Sequence, residues 1–112
     1  MKEIRWSKKE KGIARHLFKS AYEQECNELI KKVKELTKTI KTSEDLWDLY
    51  DFLKEKRKEI DNKYDFSYTN FLFLSGRLLD EKWIRLDDLE GLSDDKIDKI
   101  KDFAKLLNER KS

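Results

Sequence analysis

Proline is absent from the 112 residues of this chain, and glycine occurs only three times, at Gly12, Gly76 and Gly91. With no proline, no segment is barred from helix, and with so little glycine few sharp turns are on offer. The single cysteine, Cys26, excludes an internal disulfide and suits a reducing compartment. The single histidine, His16, shares one predicted helix with Cys26, and at their separation the two are about 15 Å apart. They therefore cannot form a nucleophile–base pair. His16 reads as a surface or interface residue, and Cys26 as a small hydrophobe. Long apolar runs are missing too. The longest, Phe71 to Leu74, is far short of the roughly 20 residues a membrane span needs. Met1 to Lys19 is too charged for a secretory signal.

Site motifs are equally scarce. No CxxC, HxxxH or calcium-loop spacing occurs, and the isolated glycines make no phosphate loop. Asp48 with Asp51, and Asp94 with Asp95 and Asp98, group carboxylates on helices. Acid–base work needs a buried cleft that separates their pKa values, so solvated helix faces explain them better. No cofactor and no metal is called for, and catalysis is not expected. The 26 basic and 24 acidic residues leave a net charge of +2 and are interspersed. A nucleic-acid binder shows a basic stripe or a strongly basic balance. Only Lys31, Lys32, Lys34, Lys38 and Lys41 approach one, so nucleic acid is not an expected partner.

Charge makes up 45% of the chain and apolar residues 38%. One small domain of that make-up, residues 1–112, has a modest core, and oligomerisation is one of its few routes to added stability. The pattern is helical throughout. Ser7 caps a first helix, with Glu10 completing a capping box, and nothing breaks it before about Lys41. Within it Tyr22, Cys26, Leu29, Val33, Leu36 and Ile40 alternate steps of four and three. That heptad seam asks for a helix to pack on. The helix would be roughly 50 Å long, more than a compact domain of this size spans. After the polar hinge Lys41–Ser43, either Thr42 and Asp45 form a second capping box or Ser43 caps alone, and a helix from about Glu44 to Lys63 closes an antiparallel hairpin. Asp65 to Asn70 is turn-like, with Ser67 and Thr69 as candidate caps. A third helix follows, about Tyr68 to Lys82, then a short turn at Asp87 to Glu90 ended by Gly91. Ser93 caps a last helix with Ile97, Ile100, Phe103, Ala104 and Leu107 on its inner face. The expected architecture is all-α: a hairpin stalk over about 7–64 and a small head over about 67–110.

One constellation stands out. Trp47, Tyr50, Asp51 and Arg57 lie on one helix beside Leu46, and Trp47, Tyr50 and Asp51 at i, i+3 and i+4 share a face. Two large aromatics beside an acid have the make-up of an interface hot spot, and Arg57 suits a carboxylate across an interface. The same pattern equally fits aromatics in the core with solvated charges beside them.

The stretch from Asp45 to Leu53, continued by Lys56 to Asp65, resembles the signature segment of the cyanobacterial fluorescence recovery protein family. The likeness extends upstream to Trp6–Ser7 and Leu17–Tyr22 with Glu25. Downstream it runs through Phe73, Leu78–Leu79 with Glu81, Leu89, Leu92, Asp95–Lys96 and Lys99–Ile100. It implies an all-α protein that dimerises through its stalk; the expected location is cytoplasmic, either free or peripheral at the cytoplasmic side of thylakoid membranes. It also implies a non-enzymatic role: binding photoactivated orange carotenoid protein, or a related carotenoid-binding domain, and returning it to the dark form. By that resemblance Leu46, Trp47, Tyr50, Asp51 and Arg57 fall on dimer and partner positions, and Phe73 and Lys99 on partner positions of the head. Tyr50 stands where the family usually has histidine, and Phe66 to Leu72 and the start of the last helix differ. A helical scaffold for another partner is the alternative, and a lysine-rich nucleic-acid binder a third reading.

Overall fold

A computed structural model describes residues 5–65 and 67–111, Thr69 in its backbone only. Among the described residues four α-helices appear in order: α1 (Lys8–Thr37), α2 (Ser43–Lys63), α3 (Tyr68–Asp80) and α4 (Asp94–Lys111), with a 3-10 turn at Leu86–Leu89 before α4. The described residues span 56 × 33 × 27 Å.

The caps form as the sequence predicts. Glu10 N–H donates to Ser7 Oγ at 3.0 Å while Ser7 N–H donates to Glu10. Thr42 and Asp45 repeat the arrangement at the start of α2, and the Lys41 amide donating to Asp45 holds that carboxyl below its ordinary pKa. Ser67 caps α3. The side chain of the other candidate cap, Thr69, lies outside the described residues. Two boundaries differ from the sequence expectation. The first helix stops at Thr37 rather than near Lys41, where Thr37 and Thr39 turn their hydroxyls onto backbone carbonyls. The third helix begins at Tyr68, as expected, so the last three residues of the turn-like stretch Asp65 to Asn70 are its first turn. The third helix ends at Asp80, because Lys82 adopts a left-handed φ of 69°. Its N–H donates to Leu79 O and that of Trp83 to Leu78 O, the two bonds of a Schellman ending, here without the usual glycine.

The core lies at one end of the molecule. Ala14, Leu17 and Ala21 from the N-terminal half of α1 meet Phe71, Leu74 and Leu78 of α3 and Ile100 of α4, with Ile60, Tyr64, Ile84, Leu89 and Leu92 around them. Helices α3 and α4 cross closely at Gly76: a Cβ there would stand 2.5 Å from that of Phe103. A second tie fastens the start of α1 to the start of α4. Lys96 Nζ, buried over the Trp6 ring at 4.9 Å, donates to Glu10 Oε1 and to the Arg5 carbonyl, and the Ser93 amide donates to Glu10 Oε2. Burial opposes ionisation of Glu10, but these donors and the Ser7 amide outweigh it and hold its pKa at about 2.

The remainder of the hairpin is different. From Tyr22 to Glu59 no side chain is buried. The seam residues Leu29, Val33, Leu36 and Ile40 are only half-buried, and Leu29 packs against the edge of the core.

Candidate protein-interaction surface

The sequence constellation on α2 can now be placed. Trp47 is 62% exposed, and Leu46 and Tyr50 are each 48% exposed. Of the two readings open to these aromatics, the core reading is therefore excluded for the single chain. Their rings meet edge to face at 6.3 Å, so they form one raised aromatic feature. Asp51 is exposed beside them. Arg57 is exposed as well, with Nε 3.4 Å from Asp61 one turn on. An exposed i,i+4 pair of that length contributes little stability, so Arg57 keeps its guanidinium available.

These residues belong to a longer stripe. Leu46, Tyr50, Leu53 and Arg57 follow one another at steps of four, three and four along one face of α2, and Leu53 is exposed. On α1 the matching ridge is Tyr22, Cys26 and Ile30 at steps of four, with Tyr22 and Ile30 exposed and Cys26 half-buried. The hairpin also carries a groove between its two helices. Leu36, Ile40, Leu49 and Phe52 line a hollow of about 420 Å³ near the hairpin tip. Leu29, Phe52, Ile60 and Trp83 line one of about 340 Å³ toward the head. Lys32 borders both.

The head adds a separate patch. Phe73 is exposed on α3 and meets Phe103 of α4 edge to face at 5.5 Å. Lys99 is exposed one turn before Phe103, and Leu106 is exposed one turn after it. The two groups of candidate residues are thus not brought together: one lies on the hairpin, the other on the head. Sequence reading missed Ile30, Leu53 and Leu106 as exposed apolar residues. Ile30 and Leu106 were findable, since Ile30 lies outside the seam and Leu106 outside the inner face of its helix.

The remaining candidates have simpler surroundings. His16 is exposed and borders a small polar hollow with Ser20, Gln24, Trp83 and Asp88. Among the described residues no group of histidine, cysteine or acidic side chains could hold a metal ion. In the lysine run, Lys31 pairs with Glu28 and Lys38 with Glu35, so its positive charge is interleaved with acids. No helix among the described residues is long and apolar enough to cross a membrane.

Fold and surface together define a class: an all-α protein in which a two-helix hairpin stands out from a small helical head and leaves an aromatic stripe uncovered. Known proteins share it. A family described as the photoprotection regulator fluorescence recovery protein matches residues 6–104. The fluorescence recovery protein of Synechocystis sp. PCC 6803 is 39% identical over 104 residues, covering 93% of this chain and 95% of that protein. Its solved structure superposes with a TM-score of 0.84, covering 90% of this chain and 99% of that one. The structure of the Fremyella diplosiphon fluorescence recovery protein, 40% identical, covers the same shares with a TM-score of 0.83. The chain belongs to the fluorescence recovery protein family, and its role is in the regulation of photoprotection.

Proposed function

We propose that this chain is a non-enzymatic regulator that binds photoactivated orange carotenoid protein through that protein's C-terminal domain. Binding promotes detachment from the phycobilisome and return to the dark form, which ends photoprotective quenching. The chain works as a homodimer built on the hairpin, in the cytoplasm or peripherally at the cytoplasmic side of the thylakoid membrane. Its action is a shift of balance or a lowered barrier: a partner that binds one state better moves the equilibrium toward it.

The observation that carries this reading is the uncovered stripe Leu46, Trp47, Tyr50, Leu53 and Arg57 on the part of the hairpin, Tyr22 to Glu59, that has no buried side chain. An apolar stripe of that length on a single chain calls for a protein to cover it. A second copy of the hairpin supplies one cover, with Trp47 and Arg57 as its anchors and Asp51 within reach of the partner. Phe73 and Lys99 make the separate contact of the head with the target.

Two measurements test the proposal. Adding the chain to photoactivated orange carotenoid protein accelerates its dark recovery, followed by the return of the dark-form absorbance. An unchanged rate at saturating concentration defeats the partner assignment and leaves the stripe to another protein. Arg57→Glu lowers the solution mass toward that of one chain, read by size-exclusion chromatography with light scattering. An unaltered dimer mass removes Arg57 from the interface.

A further inference from the structure

Lys63, the last residue of α2, has a side chain only 4% exposed. Its ammonium is the meeting point of three helices. It donates to Glu25 Oε1 of α1 at 2.6 Å and to Glu81 Oε1, the residue that caps the end of α3, at 2.5 Å. It also lies over the rings of Tyr64 and Trp83, at 5.4 and 5.9 Å. The acceptors are themselves held. The Tyr64 hydroxyl donates to Glu25 Oε1, Arg77 Nε to Glu81 Oε2, and Trp83 Nε1 to Glu81 Oε1. Two cations and two carboxylates therefore balance at the junction of hairpin and head.

Such a cluster is a poor source of stability, since well-packed apolar side chains of the same volume commonly do as well. What it supplies is direction, because each hydrogen bond fixes a distance and an angle. The direction falls on an unusual segment. Glu81 and Trp83 flank Lys82, the one described residue other than glycine with a positive φ. A side chain bearing a Cβ is crowded in that conformation and stays there only when its neighbours hold it. Here both neighbours belong to the Lys63 cluster.

We propose that Lys63 is a latch that fastens the strained Glu81–Trp83 turn of the head to the root of the hairpin. The consequence concerns motion. Between Tyr22 and Glu59 no buried side chain fixes α2, so Ile60 and Lys63 are the first points at which it is anchored. A displacement of α2 therefore withdraws or strengthens the hold on the turn. The connection from α3 to the 3-10 turn and α4 starts at that point. The latch makes the head responsive to the position of the hairpin, whatever covers the hairpin.

Residue-resolved amide hydrogen exchange on the full chain tests this. The Lys82 and Trp83 amides are bonded to Leu79 and Leu78 carbonyls, and so are protected in the latched turn. Lys63→Met keeps the length and removes the ammonium. It raises exchange at Lys82 and Trp83 by about tenfold or more, while the Ile100 and Phe103 amides of α4 stay as they were. Adding Lys82→Gly to that variant shrinks the increase, because glycine takes the left-handed conformation without strain. Should Lys63→Met fail to fold, Glu81→Gln, which keeps the side-chain shape, gives the same local pattern. Unchanged exchange at Lys82 and Trp83, or an equal rise across α4, overturns the latch. No effect of Lys82→Gly overturns the part assigned to strain.

Discussion

The two halves of α1 are one unbroken helix with two different environments. In the N-terminal half Ala14, Leu17 and Ala21 are buried under α3 and α4. In the C-terminal half nothing from Tyr22 onward is buried, and only Leu29 reaches the edge of the core. Helix formation is therefore indifferent to burial here: capping and good helix formers carry the chain through both halves. What separates them is whether a third helix crosses over. Two helices side by side can half-cover each other, but they cannot exclude water from a core, whereas the head closes its core with segments from all parts of the sequence.

The contrast can be broken by mutation. The largest effect belongs to Phe71→Ala in the head, about 3–5 kcal/mol of destabilisation for a fully buried ring. Ile30→Ala on the hairpin, in the isolated chain, costs no more than about 0.5 kcal/mol, as for an ordinary surface site. Urea unfolding measures both, and comparable losses would mean that the two regions share one core. Gly76→Ala comes next. Its added methyl must displace Phe103 at the α3–α4 crossing, for about 1–3 kcal/mol, read by the same method. Acid sharpens the contrast further. The Glu10 carboxyl titrates near 2 in the folded chain and near 4.5 when released. A depressed carboxylate stabilises the fold above its unfolded pKa and loses that contribution as pH falls through the folded one. The melting temperature of the head thus declines between about pH 5 and pH 2, and Glu10→Gln flattens the decline. The smallest effect has the opposite sign. Ser75 Oγ is buried without a partner among the described residues, so Ser75→Ala stabilises by about 1 kcal/mol in a thermal melt.

Much of this was legible in the amino-acid pattern. Ser7–Glu10 and Thr42–Asp45 announced two helix starts because capping is local chemistry. The heptad steps from Tyr22 to Ile40 showed a helix that needs company, and the run from Asp45 to Asp65 pointed to the family. Other features were hidden for a physical reason: they depend on residues far apart in the chain. Lys63 and Lys96 look like solvated charges, and only the fold brings Glu25, Glu81 and Glu10 to them. The ending of α3 at Lys82 was hidden because the position usually taken by glycine is held by a lysine. Trp47 and Tyr50 could not be assigned to core or surface from spacing alone, since a hot spot and a core face share the same periodicity. Only exposure separates the two.

The uncovered hairpin also bears on how long the molecule lasts. A region without buried side chains opens locally at little cost in free energy. This one offers basic residues to a protease at Lys31, Lys32, Lys34, Lys54 and Lys58, all of them exposed. When opening and closing are fast, the rate of cutting follows the open population. Cleavage then begins in the hairpin while the head is still folded, and any protein seated on the stripe lengthens the lifetime of the chain. Abundance would track occupancy: copies without a partner are the ones removed.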